Sequence, residues 1–186
     1  MDTLNIPGKT PIPYYNEKGL SFASRMKQYG KARNISGLSY FFFKLKISLL
    51  QLLASGCPFN GFRVRLHRMR GVRIGKEVYI GKRVFIDNLY PDFVCIEDKA
   101  HLHAESMLIA HFNPAHHFRN IFEAAADPVV IQEGAIVGIR AIIMPGIKVG
   151  RYAMVTAGSV VTKNVPDFSL FQGNPARKIL DYRNIL

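Results

Sequence analysis

A six-residue repeat over residues 131–166 constrains the fold of this chain more than any other feature. Read in sixes, the segment is IQEGAI, VGIRAI, IMPGIK, VGRYAM, VTAGSV and VTKNVP. An α-helix would repeat every 3.6 residues and a lone strand every two, whereas a period of six is typical of a parallel β-helix. One hexad cannot bury its apolar side alone, so the hexads must stack. The aliphatic positions are Ile131, Val137, Ile143, Val149, Val155 and Val161, and the mostly small positions are Ala135, Ala141, Ile147, Ala153, Ser159 and Val165.

The same repeat continues upstream in two shorter runs. Their aliphatic positions are Ile74, Ile80, Ile86, Ile96, Leu102 and Leu108. Four extra residues interrupt the repeat around residues 90–93, and a longer insertion separates Leu108 from Ile131. With three hexads in each turn, the twelve hexads predict an all-β core of about four coils, with a protruding loop at residues 113–129.

The net charge of +12 is concentrated in the first half of the chain. Residues 1–83 hold 16 Lys and Arg against three acidic residues, a balance of +13, whereas the remaining residues hold nine against ten. This asymmetry predicts an anionic partner for the first half. The sequence has no helix-turn-helix, zinc-finger or RNP pattern, so a membrane surface or an anionic glycan is favoured over nucleic acid.

The two cysteines, Cys57 and Cys95, do not form a disulfide pattern, and reduced thiols in a cytoplasmic protein are the simplest interpretation. The first residues, MDTLNIPGKTPIP, lack the layout of a signal peptide. We therefore expect a cytoplasmic protein, with peripheral contact at the inner face of the membrane as a further expectation.

Residues 1–60 are predicted to form a basic, helical appendage, and residues 61–186 a β-helix domain with a C-terminal tail. Residues 1–16 should be irregular, residues 21–33 a short helix, and residues 38–56 an apolar helix with a narrow polar stripe. The apolar helix either caps the open end of the β-helix or lies in a membrane interface; two lysines and its length argue against a full span. Residues 61–75 alternate basic and apolar side chains, which predicts an edge strand. The stripe comprises Lys44, Ser48, Gln51 and Ser55.

Five of the six histidines fall within residues 101–117, at the start of the protruding loop. A solvated loop histidine is the ordinary interpretation of any one of them, but clustering beside a rigid wall favours function. Imidazole is the usual general base near neutral pH.

The chain resembles the hexapeptide-repeat O-acetyltransferases, the group that includes galactoside, maltose and many polysaccharide acetyltransferases. The resemblance covers about residues 74–180, and VTAGSVVTKNVPDFSLFQGNPARKI is similar to the closing signature of that family almost residue for residue. It implies a left-handed β-helix assembled as a homotrimer, with acetyl-coenzyme A as co-substrate in grooves between subunits.

The resemblance also implies roles for individual residues. His111 matches the catalytic histidine, and Glu123 matches a loop glutamate that orients the histidine or holds substrate. His116, with His117, matches a pair that is structural or faces the substrate. Asp87 and Asn88 lie near the position of a substrate-binding polar residue.

For the cofactor, the resemblance implies an apolar slot for the arm and cations for the phosphates. Ile139 departs from the family, in which a serine commonly contacts the cofactor at this position. Gly138, lacking a side chain, would let the thioester approach the backbone. The implied cofactor-binding residues are Gly138, Ile139, Ala157, Gly158, Thr162, Lys163, Arg177 and Lys178.

The sequence thus predicts an acetyltransferase that modifies a sugar hydroxyl, in the synthesis of a surface polysaccharide or a glycolipid with a lipid-linked acceptor. Alternatives are a small-molecule acetyltransferase, for an amino acid or an antibiotic, and a non-catalytic scaffold. A metal-dependent enzyme is a further alternative, because three histidines on a β-helix also resemble the gamma-type carbonic anhydrases. No cysteine accompanies the histidines, so no metal is expected.

Overall fold

Short strands and three helices make up residues 7–14 and 21–184, which a computed structural model describes. The helices are Phe22–Ala32 (α1), Gly37–Gly56 (α2) and Asn60–Met69 (α3). The strands are Thr10–Pro11 (β1), Arg73–Ile74 (β2), Tyr79–Ile80 (β3), Phe85–Ile86 (β4), Val94–Ile96 (β5), His101–Leu102 (β6), Met107–Leu108 (β7), His111–Phe112 (β8), Ala125–Ala126 (β9), Val129–Ile131 (β10), Ile136–Val137 (β11), Ile142–Ile143 (β12), Lys148–Val149 (β13), Met154–Val155 (β14), Val160–Val161 (β15), Ser169–Gly173 (β16) and Ala176–Asp181 (β17). Two 3-10 turns lie at Pro91–Phe93 and His116–Phe118.

Three sheets form the walls of the core, and each turn of the chain around them is one row. The strands pair in parallel, apart from the antiparallel β16–β17 hairpin at the end of sheet two. Sheet one has the order β13-β10-β5-β2, sheet two β17-β16-β14-β11-β6-β3, and sheet three β15-β12-β7-β4. Strands that follow one another along the chain pass from one sheet to the next, and every contact between rows is parallel. This topology is that of a parallel β-helix, and it confirms the predicted period of six.

The aliphatic positions of the repeat stack directly above one another and fill the interior. Ile86, Leu108, Ile143 and Val161, for example, are register partners in sheet three, and each is fully buried. Complete burial of one such side chain contributes about 1.5–3 kcal/mol. The stack of aliphatic columns is therefore the main source of stability, and it fixes which residues reach the outside at each turn of the wall.

The protruding loop contains an ordered hairpin. Strand β8 pairs antiparallel with β9, and β1 adds a third strand with Thr10 opposite Ala126. The prediction that residues 1–16 are irregular is therefore wrong for β1, because this strand pairs with β9 of the loop. Residues 1–6 and 15–16 lie outside the described part of the chain.

Helices α1 and α2 confirm the two predicted helices, and both begin at a serine cap. Ser21 Oγ accepts from Ser24 N–H at 3.2 Å, and Ser36 Oγ accepts from Ser39 N–H at 3.1 Å. Each cap satisfies an N–H group that has no partner within the helix.

The predicted edge strand over residues 61–75 is wrong, because most of that segment forms α3. The pairs Arg63–Val64 and Leu66–His67 are buried on one side, at helical rather than strand spacing. Arg63 is tolerated inside because its Nε donates to the Ile80 carbonyl at 2.7 Å, and its Nη1 to the Cys57 carbonyl. The division of the chain at residue 60 stays a prediction, and α3 lies on the β-helix side of it.

Helix α2 turns most of its polar stripe inward, with Ser48 exposed, and turns its apolar side outward. Lys44 Nζ donates to the Asn88 carbonyl at 3.3 Å, and Gln51 Nε2 donates to the Val84 carbonyl at 3.1 Å. Lys44 and Gln51 therefore hold the helix against the first row of the β-helix, and the choice between a cap and a membrane-interface helix stays a prediction. By length and composition α2 is apolar enough to cross a membrane. Only 28% of its most apolar window is buried within the protein.

Candidate active site

One corner of the β-helix collects several of the predicted site residues. The carboxyl ends of parallel strands meet at one edge of a sheet, so the residues that follow β4, β7, β12 and β15 form a column with a row spacing of about 4.8 Å. We call this column, together with the hairpin beside it, the His111 corner. It comprises Asp87 and Asn88 after β4, Ala110 and His111 after β7, Met144 and Pro145 after β12, and Thr162 and Lys163 after β15.

A buried aspartate holds the predicted catalytic histidine. His111 Nδ1 lies 2.5 Å from Asp87 Oδ2, and the Asp87 side chain is only 1% exposed, against 23% for His111. Backbone N–H groups complete the shell of the carboxylate: Ala110 donates to Oδ2, while Leu89 and Tyr90 donate to Oδ1, each at 2.8 Å. The carboxylate is thus fixed in place before any substrate arrives.

The surroundings of Asp87 keep it ionised. Burial raises the pKa of this carboxyl, but the hydrogen bond and the charge of His111 lower it, as do backbone hydrogen bonds, and the net pKa lies below its usual value. An ionised carboxylate can only accept, so the proton of the neutral imidazole must lie on Nδ1. The other nitrogen, Nε2, is then the atom that can accept a proton.

The position of Asp87 differs from the predicted role of substrate contact. Its carboxylate is enclosed and committed to His111 and backbone groups, so it positions the histidine. Asn88 is half-buried, and its Oδ1 accepts from Arg70 Nη2 at 2.8 Å. The Asp87–His111 pair was missed, although Asp87 follows an aliphatic column residue one row below the histidine.

Glu123 does not orient His111 in this structure. Its carboxylate pairs with Lys9 Nζ at 2.9 Å, and both side chains are more than half exposed. Glu123 instead lines a cavity of about 340 Å³ together with Phe112, Met144 and Thr162. The cavity therefore joins the strand of His111 to a predicted cofactor-binding residue.

The remaining loop histidines take other positions. His116 packs edge-on against Tyr14, and its Nε2 lies 3.1 Å from Arg119 Nη1. His101 lies against Tyr79 on the outer face of sheet two. Among the described residues, no group of three or more His, Cys, Asp or Glu side chains has the geometry to hold a metal ion.

A second corner, at the carboxyl ends of sheet two, collects most of the other predicted cofactor residues. We call this column the Gly138 corner; sheet three lies between it and the His111 corner. The Gly158 N–H donates to the Ile139 carbonyl at 2.8 Å, and the Gly173 N–H donates to Ser159 Oγ at 3.2 Å. The column comprises Gly138 and Ile139 after β11, Ala157 and Gly158 after β14, and Arg177 and Lys178 at the start of β17.

Gly138 and Gly158 are required in this corner for different physical reasons. A Cβ on Gly138 would lie 2.6 Å from the Ala157 nitrogen, so the next row of backbone occupies the space proposed for a thioester. Gly158 has φ +69° and open space beside it. The space beside Gly158 therefore suits an extended ligand, whereas stacking alone accounts for Gly138.

The predicted phosphate-binding cations are exposed but differ in availability. Lys163 makes no hydrogen bond or ion pair with the described part of the chain. Arg177 donates only to the Ala176 carbonyl, whereas Lys178 pairs with Asp181 at 2.7 Å. Lys163 and Arg177 are therefore better placed than Lys178 to receive an anion.

Comparison with known sequences identifies acetyltransferases. Residues 128–163 match the family model for the hexapeptide repeat of succinyl-transferase. A Bacillus subtilis (strain 168) protein named "Putative acetyltransferase YvoF" is 29% identical over 128 residues, covering 68% of this chain and 71% of that protein. A dTDP-3-amino-3,6-dideoxy-alpha-D-galactopyranose 3-N-acetyltransferase from Aneurinibacillus thermoaerophilus is 50% identical over 48 residues, which is 26% of this chain and a quarter of that enzyme.

Solved structures share the fold. A hexapeptide-repeat acetyltransferase from Vibrio cholerae matches 77% of this chain and 92% of its own, with a TM-score of 0.65 and 21% identity. The same protein has been solved with acetyl-coenzyme A. A maltose O-acetyltransferase from Clostridium difficile 630 matches 88% and 98% of the two chains, with a TM-score of 0.62 and 21% identity. The polySia-specific acetyltransferase NeuO matches 58% and 50%, with a TM-score of 0.51 and 27% identity.

The resemblance to the hexapeptide-repeat acetyltransferases is confirmed. The family model and the structural neighbours also imply that the β-helix is left-handed. The predicted class, an acyltransferase, is confirmed by the acetyltransferases among the sequence relatives. Acetyl-coenzyme A is bound in one of the solved structures that share the fold. The roles of the individual site residues stay predictions.

Proposed function

We propose that the protein transfers the acetyl group of acetyl-coenzyme A to a hydroxyl of a sugar. The observation that carries the proposal is the hydrogen bond between His111 and a buried, ionised Asp87. A sugar hydroxyl is a poor nucleophile until a base takes its proton during attack. The pair supplies that base, because Asp87 holds the proton of the neutral form of the imidazole on Nδ1 and leaves Nε2 to accept the hydroxyl proton.

Asp87 and His111 act together in the proposed reaction. His111 Nε2 accepts the hydroxyl proton as the oxygen attacks, and Asp87 stabilises the imidazolium that forms. The co-substrate supplies an acetyl group already activated as a thioester. The imidazolium then holds a proton for the departing thiolate, which leaves the histidine neutral for the next cycle.

The two corners also support the predicted homotrimer. Gly158 and Arg177 lie on one side of sheet three, and His111 and Lys163 on the other. The outward side chains of sheets two and three are largely apolar and include Tyr79, Met107 and Met154, which are about 40% exposed. We propose that these walls meet in a trimer of four-coil β-helices, so that the Gly138 corner of one subunit faces the His111 corner of the next.

The acceptor class is the least specified part of the proposal. Likeness to maltose O-acetyltransferase and to NeuO favours a hydroxyl of a sugar or a glycan, in keeping with the predicted role in surface polysaccharide or glycolipid synthesis. The Aneurinibacillus relative favours a second candidate, the amino group of a nucleotide-linked amino sugar. The predicted cytoplasmic location stays a prediction.

The test is an acceptor screen with two variants of the pair. Purified protein, acetyl-coenzyme A and a panel of sugars, glycans and amino-sugar nucleotides would be assayed by thiol release. With the best acceptor, His111→Ala should lower kcat by about 10²- to 10⁴-fold. Asp87→Asn should also lower kcat, because an amide no longer requires the Nδ1–H tautomer.

Lys148→Ala is the control, because this exposed side chain lies on sheet one, outside the walls proposed to meet in the trimer and away from the pair. Coenzyme A affinity should be unchanged in all three variants. A His111→Ala protein that keeps more than about a third of the wild-type kcat would overturn the proposed base. Turnover restricted to amino acceptors would select the second candidate.

A further inference from the structure

The exposed side of α2 is an apolar face that nothing in the described chain covers. Its members recur at helical spacing, and each is more than a third exposed. They point away from Ile47, Leu50 and Ala54, which pack against the protein. The face comprises Leu38, Phe41, Phe42, Leu45, Leu49, Leu52 and Leu53. A contiguous apolar surface of this size marks an interaction site.

An apolar cleft continues this face towards α1. It has a volume of about 920 Å³ and shares Leu38 and Phe41 with the face. Phe22 and Met26 of α1 line its other side, and its rim carries Lys27. Apolar surface bordered by cations matches the arrangement of acyl chains beneath anionic headgroups.

The charge around the face has one sign. No Asp or Glu occurs between Ser21 and Lys76, although this segment carries twelve Lys and Arg. Several of these cations are committed to the fold: Arg33 pairs with Asp92, and Arg63 binds backbone carbonyls. On the three helices, the exposed cations whose side chains make no hydrogen bond or ion pair with the described residues are Lys27, Lys31, Lys46 and Arg65.

From these observations we propose that the α1–α2 surface docks the protein on an anionic membrane, with α2 lying in the interface. The helix lies on the membrane rather than crossing it, because its polar stripe is occupied. Gln51 binds the Val84 carbonyl, and Arg70 Nε binds the Ile47 carbonyl of α2 itself. Crossing would break these bonds and leave buried polar groups of the first row without partners.

The proposal goes beyond acetyl transfer, and vesicle binding is measured without turnover. The full chain would be sedimented with vesicles of equal parts phosphatidylcholine and phosphatidylglycerol, and with vesicles of phosphatidylcholine alone. Binding should occur on the anionic vesicles at low salt. It should fall as salt rises, because the Debye length shrinks from about 30 Å at 0.01 M to about 8 Å at physiological ionic strength.

The apolar contribution is tested by a triple variant, Leu45→Gln, Leu49→Gln and Leu52→Gln. These side chains are 56%, 54% and 70% exposed, so the fold should persist, as circular dichroism would verify. The partition coefficient should fall at least about tenfold, since burying even one leucine is worth that factor. The matched control substitutes Gln for Ile121, Ile179 and Leu180, which are exposed outside the helical layer, and should bind as the wild type does.

The ionic contribution is tested by Lys27→Gln, Lys31→Gln and Lys46→Gln. Each lysine near an anionic surface should contribute roughly fivefold to partitioning. Binding that does not weaken as salt rises, and that the three lysine variants do not weaken, would contradict recognition of an anionic surface. Absence of sedimentation at low salt, or an apolar variant that binds like the wild type, would overturn the proposal. So would a wild-type oligomer that the apolar variant disperses, because the face would then be covered by a second copy.

Discussion

Acid should destabilise the fold through one buried histidine, His67 of α3. Its side chain is 1% exposed, and its Nδ1 lies 2.9 Å from Arg70 Nη1. A guanidinium can only donate, so Nδ1 must accept and carries no proton. Burial lowers the pKa of His67 to about 3, and the charges of Arg70 and Arg63 act in the same direction.

The size and sign of the effect follow from proton linkage. An unfolded histidine has a pKa of about 6.5, so between about pH 6.5 and pH 3 the unfolded chain binds a proton that the folded chain does not. Stability contributed by the neutral His67 is therefore complete above this window and is lost progressively as the pH falls through it. Between pH 7 and pH 5 the loss is about 2 kcal/mol, at 1.36 kcal/mol for each pH unit below 6.5.

Urea unfolding of the full chain at pH 7, 6 and 5 would measure this loss. His67→Asn is the informative variant, because its Oδ1 can still accept from Arg70 but does not titrate. Whatever its free energy of unfolding at pH 7, the loss of that free energy between pH 7 and pH 5 should be about 2 kcal/mol smaller than in the wild type. His117→Asn, at an exposed position in the loop, should keep the wild-type dependence on pH. Equal slopes in wild type and His67→Asn would refute the reasoning.

Two further predictions concern the His111 corner and the Gly138 corner. Lys163→Ala and Arg177→Ala should weaken coenzyme A by about ten- to a hundredfold, and dephospho-coenzyme A less, because a charge-assisted hydrogen bond contributes roughly 1.5–3 kcal/mol. Isothermal titration calorimetry would measure both affinities, with Lys148→Ala as the control. Equal losses of affinity for the two ligands would show that these cations do not bind the 3′-phosphate. Gly138→Ala should destabilise the fold by about 1–3 kcal/mol, because its Cβ would meet backbone at 2.6 Å. Gly61→Ala, with open space in α3, should be neutral or stabilising in the same denaturation assay; equal effects would contradict the stacking argument.

The β-helix was predictable because its signal is local and repeated. Every hexad places an aliphatic residue in the same environment, so an error at one position is corrected by the next. The fully buried columns, such as Ile80, Leu102, Val137 and Val155, lie where the period places them. Insertions outside the columns do not disturb this register, because each row is fixed by its neighbours.

The site was predicted only in part, because its central contact joins two rows. Asp87 and His111 are 24 residues apart, and family resemblance alone assigned the aspartate to substrate. The signal that could have found the contact was the column register. Ile86 and Leu108 are partners in adjacent rows, so the residues that follow them share one corner.

Helix α3 was mistaken for a strand because its arginines were read as solvent-facing. Arg63 and Arg70 are nearly fully buried, and they bind carbonyls at the ends of the first-row strands. Burial of a guanidinium depends on acceptors that are distant in sequence, which local patterning cannot reveal. Nearby carbonyls, those of Val84 and Asn88, likewise explain why α2 turns Lys44 and Gln51 inward.

These buried polar contacts join the proposed membrane surface to the proposed catalytic pair. Arg70 Nε donates to the Ile47 carbonyl of α2, while its Nη2 donates to the carbonyls of Ile86 and Asp87 at 2.8 and 3.0 Å. One guanidinium thus supports both the helix that carries the apolar face and the backbone that carries the partner of His111. Because a buried donor costs free energy when its acceptor is lost, a displacement of α2 must also disturb the segment that holds Asp87. The helical layer therefore supports the backbone of the proposed catalytic pair as well as packing against the first row of the β-helix.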